Sequence, residues 1–257
     1  MKVSKPFQNL QEFEALLPVG YTDGSGVVHR QAVLHKMTGH EEKLLYDWNL
    51  SAGELVTELI CGCLVRLGDI DTITSKLVSE LYTADRNYLL LEMQRITFGD
   101  YLPAQYACPG CGAPVSTFLD LRAVPVRRLE DGKTALKVTV QLEDSCLNQK
   151  GNTRIEVVLG MPRGVDEEFV SKLVKEDPLQ AQDALFLRCI KELVGLESDV
   201  LEWNGSYFLR DLTMGDRRLL FNALNNRMPG VDFQTTIHCD SCGTSFRGVI
   251  DVTNFFV

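Results

Sequence analysis

The chain has 257 residues, 45% of them apolar and 24% charged, so it can bury an ordinary globular core and needs no metal or disulfide merely to fold. Its net charge of −9 runs against binding a polyanion, because nucleic-acid affinity rests on Lys and Arg neutralising phosphates. The start of the chain is interrupted by Lys2, Lys5, Gln8, Asn9 and Gln11 and lacks a signal-peptide core. The most apolar helical stretch, Leu55 to Leu67, carries Glu58 and Arg66 and is too short to span a bilayer. These features predict a cytoplasmic chain without membrane insertion, whose eight cysteines are reduced thiols rather than disulfides.

Taken in chain order, the pattern opens with a strand pair around the turn Asp23-Gly24-Ser25-Gly26. Helical segments follow near 41–49 and 54–67, the second started by Ser51. A better-defined helix opens at Asp85-Arg86, with Thr83 as its cap, Leu89, Met93 and Ile96 along one face, and Gly99 at its stop. Strands 101–107 and 115–121 flank Cys108-Pro-Gly-Cys111-Gly112. Pro125 and the charged run Arg127 to Lys133 read as a linker, in which the basic pair Arg127-Arg128 is a solvated strand end rather than a nucleic-acid patch.

The series then begins again. Leu136 to Leu142 alternates β-formers, and Lys150-Gly151-Asn152 supplies a turn. Helices are expected near 166–175 and 179–195, the latter started by Asp177-Pro178. A helix capped by Thr213, with Asp216 in the capping-box position, carries Leu220 and Leu224 and stops at Gly230. Strands 232–238 and 246–252 flank Cys239-Asp-Ser-Cys242-Gly243.

Slid by 131 residues, the chain matches itself without a gap for about 40 positions. Leu81-Tyr-Thr-Ala-Asp85-Arg86 falls on Leu212-Thr-Met-Gly-Asp216-Arg217, Gly99 on Gly230, Cys108 on Cys239, Cys111 on Cys242, and Asp120 on Asp251. Farther upstream, Arg30 to Gly39 matches Ile155 to Gly164 at a shift of 125, and each runs into a Glu pair. The expected architecture is α+β: an internal duplication of a unit made of short antiparallel strands, helices and a zinc-knuckle hairpin. The units span 12–126 and 136–257 and are related by a pseudo-twofold axis.

Two residues between paired cysteines let a tight turn aim both sulfurs at one tetrahedral ion, and the glycine that follows lets the backbone turn back beneath it. One knuckle supplies two ligands and a closed structural site takes four. Neither unit has a second pair, so the expectation is a single zinc per chain, held by Cys108, Cys111, Cys239 and Cys242 across the pseudo-twofold axis. Redox-active dithiols depend on a helix N-terminus to lower the thiol pKa, whereas here β-patterned residues follow. The competing reading of these cysteines is plain burial, and burial is what Cys61, Cys63, Cys146 and Cys189 suggest.

Signatures of catalysis are absent: no His-Glu-x-x-His, Walker loop, Gly-x-Ser-x-Gly or dinucleotide fingerprint occurs. His29 and His35 read as ordinary strand residues, and four thiolates would leave no coordination position for water. Asp85 and Asp216 fit the positive end of a helix dipole, and their Arg neighbours suit either a bridge between units or an exposed ion pair.

Asp85-Arg-Asn-Tyr-Leu-Leu-Leu91, Ile96-Thr-Phe-Gly-Asp100 and the Cys-Pro-x-Cys-Gly knuckle together resemble the baseplate hub assembly proteins of T-even-type contractile-tailed phages and related chains of phage-derived contractile injection systems. The phrase Leu212-Thr-Met-Gly-Asp-Arg-Arg-Leu-Leu220 repeats the motif. The resemblance covers residues 81–121 and 205–252, with a weaker opening at Leu17-Pro-Val-Gly20. It implies a non-enzymatic structural or assembly component of a tail-like particle's baseplate, touching other baseplate or hub subunits and no nucleic acid or small-molecule substrate. Phage members often lack the paired knuckles, so zinc is argued from this chain's own cysteines. The alternative is a zinc-ribbon adaptor unrelated to tails; it would call for basic, aromatic strands near the knuckles, and 101–107 and 232–238 lack Lys and Arg.

Overall fold

The computed structural model describes residues 11–130, 136–144, 155–194, 205 and 207–251, except the side chains of 225 and 226. The expected turn at 150–152, Cys146 and the terminal 254–257 lie outside the described residues.

The first sheet has three antiparallel strands in the order β1 (Glu12–Thr22), β2 (Val28–His35), β3 (Leu64–Leu67). Asp23 makes the β1–β2 turn, its Oδ1 accepting from Ser25 N at 2.9 Å and Val27 N at 3.0 Å. Between β2 and β3 stand α1 (Gly39–Glu42), a 3₁₀ turn over Lys43–Tyr46, and α2 (Ala52–Cys63). Ser51 caps α2 in a reciprocal box with Glu54. The helix stops at Cys63, and the expected continuation to residue 67 is β3 instead. A short apolar run has no period of its own to decide between helix and strand, and the open edge of β2 decides it here.

The short helix α3 (Ser75–Glu80) leads into α4 (Thr83–Phe98). An amphipathic helix was expected, but Ala84, Asp85, Arg86, Tyr88, Leu89, Leu90, Leu91, Met93 and Gln94 are all buried, so α4 is enclosed on most sides. Gly99 ends it with φ of +105°. The cap is Tyr82 rather than Thr83, which is already the first helical residue. A hairpin of β4 (Tyr101–Ala107) and β5 (Pro114–Asp120) follows, then a 3₁₀ turn over Leu121–Ala123 and β6 (Val126–Arg127). The start of the expected linker is thus a strand. β6 pairs with β10 (Gly230–Val231), and Arg127 Nε also donates to Met228 O at 3.2 Å.

The rest of the chain presents β7 (Lys137–Gln141), β8 (Glu156–Gly160), α5 (Gly164–Leu173), α6 (Pro178–Cys189) and β9 (Ile190–Val194). Its sheet order is β7-β8-β9. The N-terminus of α6 is as expected, with Asp177 as cap and Pro178 at the first position, but the helix ends at Cys189, and β9 takes the residues expected to continue it. Helical residues 207–211 precede α7 (Met214–Arg227), followed by β10 and the hairpin β11 (Gln234–His238) with β12 (Ser245–Val249). Gly230 does not stop α7, which ends at Arg227; the glycine is the first residue of β10.

The two three-stranded sheets share a detail that no hydropathy pattern reveals. Pairing of β2 with β3 shifts register between Val33, opposite Arg66, and Leu34, opposite Leu64. Pairing of β8 with β9 shifts between Val158, opposite Glu192, and Leu159, opposite Ile190.

Among the described residues the apolar interior forms two clusters. One gathers Leu17, Leu34, Ile60, Leu67, Leu89 and Met93, and it takes in Ile237, Cys239 and Ile250 from the distant hairpin. The other gathers Val157, Leu159, Phe186, Phe208 and Leu220, and it takes in Val19 and Ala84. Each cluster borrows from the other half of the chain, which ties the halves together.

Candidate metal centre

Cys108 and Cys111 sit in the loop between β4 and β5, and Cys239 and Cys242 in the loop between β11 and β12. Both loops use the same backbone bonds. Cys108 N donates to Ala113 O at 2.9 Å and Gly112 N to Cys108 O at 2.8 Å; Cys239 N donates to Thr244 O at 2.9 Å and Gly243 N to Cys239 O at 2.8 Å. Gly112 and Gly243 have φ of +73° and +72°, left-handed values that favour glycine. The first cysteine of each pair is buried and the second exposed.

The hairpins bring the pairs together. Tyr106 of β4 meets Phe246 of β12 edge to face at 6.4 Å and donates its hydroxyl to Val249 O at 3.2 Å. The four sulfurs lie within 4.8 Å of one another. Cys108 Sγ is 3.6 Å from Cys242 Sγ, and Cys111 Sγ is 3.8 Å from Cys239 Sγ, so the first cysteine of each loop neighbours the second of the other. A tetrahedral ion with bonds of about 2.3 Å to sulfur places its ligands about 3.8 Å apart. A disulfide needs about 2.05 Å, so these are not bonded pairs.

The two exposed thiols sit in different surroundings. At Cys242 the Thr244 hydroxyl, 3.2 Å from the sulfur, and the Thr244 backbone N–H hold the thiol down to about 6. At Cys111 the Ala113 backbone bond also pulls down, but the neighbouring thiols, Cys242 first, outweigh it and push the group up to about 12. The cluster could hold a metal ion, and the N–H of Gly110, 3.4 Å from Cys108 Sγ, is an outer-shell donor of the kind that steadies metal-bound thiolate.

The other singled-out residues are elsewhere. His238 is turned to Ser245, with Nδ1 2.8 Å from Oγ. His29 lies 3.0 Å from Asp23, and His35 Nδ1 lies 2.7 Å from Lys36 O. Cys63 and Cys189 are fully buried and Cys61 half-buried, as core thiols should be.

Asp85 and Asp216 do more than face a helix dipole. Asp85 is fully buried and accepts from Val19 N and Gly20 N, both at 2.8 Å. Asp216 accepts from Glu143 N at 2.7 Å and Asp144 N at 3.2 Å, so its carboxylate does not complete the expected capping box; Thr213 Oγ1 alone accepts from Asp216 N at 3.1 Å. Arg86 is fully buried and donates to Glu167 Oε2 at 2.8 Å, Thr57 Oγ1 at 2.9 Å, Gly53 O at 3.1 Å and Val78 O at 3.2 Å. Arg217 donates to Leu209 O at 3.0 Å and to Asp183. Arg86 therefore bridges the two halves, while Arg217 stays within its own. No periodicity points to Glu167 or Thr57 as its partners, because they are distant in sequence.

A family model described as T4 bacteriophage base plate protein matches residues 26–257. The chain belongs to that family. The matched range includes both cysteine loops and both Asp-Arg pairs. No curated protein and no solved structure shows significant similarity to the chain. Among the described residues, no helix is long and apolar enough to cross a membrane.

Proposed function

We propose that this baseplate-family chain is a non-catalytic structural or assembly component of a contractile tail or contractile injection system. In this reading units 12–126 and 136–257 are an internal duplication clamped by one zinc ion on Cys108, Cys111, Cys239 and Cys242. The observation that carries it is the family match over residues 26–257 together with four sulfurs, two from each half, spaced as ligands of one tetrahedral ion.

Support for duplication comes from correspondences that sequence similarity does not require. The register shifts of the two sheets fall 125 and 126 residues apart on their paired strands. Asp85 and Asp216 each accept from two successive N–H groups, those of Val19 and Gly20 late in β1 and those of Glu143 and Asp144 just after β7. Arg86 and Arg217 each donate to the carbonyl eight residues before them, and to a side chain, Thr57 or Asp183, at matching positions of α2 and α6. A pseudo-twofold axis through the cluster accounts for the crossed sulfur pairing.

The zinc is a staple, because each half has a sizeable apolar interior without it. It fixes the angle between two similar but diverged surfaces, as a connector under mechanical load requires. The partners are other baseplate or hub subunits. The test is deletion of the gene, followed by microscopy and proteomics of the particles. Free sheath and tube proteins without loaded, contraction-competent particles are expected. Normal particles made without the protein would reject the proposal, and particles that need it but do not contain it would assign it to assembly.

A further inference from the structure

Helix α5 of the second half packs on the first half through its N-terminal turn. Thr83 N donates to Pro162 O at 3.0 Å, Gly164 N to Leu81 O at 2.9 Å and Arg86 Nε to Glu167 Oε2 at 2.8 Å, while Glu168 accepts from the Thr57 hydroxyl. Gly164 has no room for a side chain, because its Cβ would lie 2.4 Å from the Arg86 guanidinium.

Each participant has a counterpart in the other half. Helix α1 starts as α5 does, with Gly39 in place of Gly164 at its first position and Glu41 in place of Asp166 at its third. In that register Glu42 stands for Glu167 and Lys43 for Glu168. On the receiving side, Asp183 of α6 stands for Thr57 and Leu179 for Gly53, and on α7 Arg217 stands for Arg86 and Met214 for Thr83. A twofold relating whole halves would seat α1 on α6 and α7, but among the described residues that contact does not form within the chain. Arg86 is fully buried, whereas the Arg217 side chain is 18% exposed. Gly53 is buried, whereas Leu179 is 63% and Met214 81% exposed. On the opposite face Glu42 and Lys43 are exposed and form no ion pair with a described residue, and the turn beyond them presents Tyr46 and Trp48 at 70% and 93%. Among the described atoms a Cβ on Gly39 would meet only Glu42 Oε2, at 4.0 Å, so that packing does not call for glycine there.

We propose that these two faces form a head-to-tail contact between copies of the chain. Helix α1 and the 3₁₀ turn of one copy seat on α6 and α7 of the next, as α5 seats on α2 and α4 within each copy. The inference rests on the duplication proposed above. Charge selects the occupant: Glu42 arrives at Arg217 and Lys43 at Asp183, so four groups of alternating sign meet. Gly39 brings bare backbone over the Arg217 guanidinium, as Gly164 does over Arg86. Lys172, paired with Glu54 at 2.7 Å, corresponds to Asp47, so the neighbouring Trp48 comes near Leu179. Exposed Tyr and Trp are the residue types that anchor protein interfaces. A contact between unlike faces leaves one of each free at the ends, so it extends into a ring or a longer row.

The experiment is sedimentation velocity on the full zinc-loaded chain from about 1 to about 100 µM, a range that resolves contacts of ordinary affinity. Association that grows with concentration is expected. Lys43→Glu on one face and Met214→Asp on the other change exposed residues, and each should raise the dissociation constant about tenfold or more. Trp48→Ala is a second variant of the first face and should act in the same direction. Mixing Lys43→Glu with Met214→Asp should restore tight pairing but stop at dimers, because each retains the face the other has lost. A chain that stays monomeric throughout, association untouched by these variants, or a mixture no tighter than its parts would overturn the proposal. Zinc content separates this from failure of the duplication reading: one zinc per chain in a protein that stays monomeric rejects the contact between copies alone.

Discussion

Arg86 offers the sharpest test of how the halves are joined. Its side chain is fully buried, and its guanidinium serves Glu167, Thr57, Gly53 O and Val78 O. Gly53 and Gly164 keep the surroundings tight: a Cβ on Gly53 would lie 2.6 Å from the Glu168 backbone, and one on Gly164 2.4 Å from the guanidinium. Arg86→Ala strands the Glu167 carboxylate and removes a donor from Thr57 Oγ1, Gly53 O and Val78 O, of which Gly53 O keeps the Thr57 hydroxyl and Val78 O keeps the Leu81 N–H. Removing one partner of a buried pair costs about 3–5 kcal/mol. At about 2–4 °C per kcal/mol for a chain of this size, the melting temperature should fall by about 6–20 °C. Arg217→Ala should cost less, about 1.5–3 kcal/mol, because Arg217 and Asp183 remain 18% and 19% exposed and water can replace part of what is lost. Arg122→Ala, at an ion pair 49% and 34% exposed, should cost the least of the three, because solvent screens it. Denaturant titration of the three variants gives the ranking, and Arg86→Met with Glu167→Leu should recover much of the loss by removing the stranded charge. A cost for Arg86→Ala no larger than for Arg122→Ala would refute the reasoning.

Two further outcomes follow from the same geometry. Burial lifts the Asp85 carboxyl to about 6 against the downward pull of the Val19 and Gly20 N–H groups, so folding takes up a proton there and stability declines as pH rises from about 4 to about 6. Asp85→Asn should be less stable, because its amide NH₂ must face one of those N–H donors, and it should lose this share of the pH dependence; an unchanged profile in urea titrations from pH 4 to 7 would contradict the assignment. At the knuckles, Gly112→Ala and Gly243→Ala meet no atom within 4 Å and carry only the left-handed backbone penalty, about 1–2 kcal/mol each; markedly unequal losses of thermal stability would show that the two loops are not equivalent.

The convergence of the four cysteines was legible because its signal is local. Cys-x-x-C with a following glycine prescribes a turn wherever it occurs, and two copies 131 residues apart pointed to four converging sulfurs. The helix starts at Ser51 and Asp177-Pro178 were readable for the same reason, since a cap is satisfied within three residues. What escaped the sequence depends on distant neighbours. Leu64–Leu67 and Ile190–Val194 continue apolar helical runs and become strands only because β2 and β8 have open edges. Val126-Arg127 looks like the start of a linker until Gly230-Val231 arrives beside it. Asp85 fits a helix dipole equally well whether exposed or buried, so its grip on Val19 and Gly20 could not be inferred.

The central claim is one shared zinc site joining the two halves of a baseplate protein. The most direct measurement is the metal content of protein purified without chelator, with X-ray absorption at the zinc edge on the same sample. One zinc per chain with four sulfur ligands at about 2.3 Å is predicted, and Cys108→Ser or Cys239→Ser alone should each disturb that single site. Two tightly held zincs per chain, no zinc, or a full complement of metal surviving the loss of either pair would contradict it.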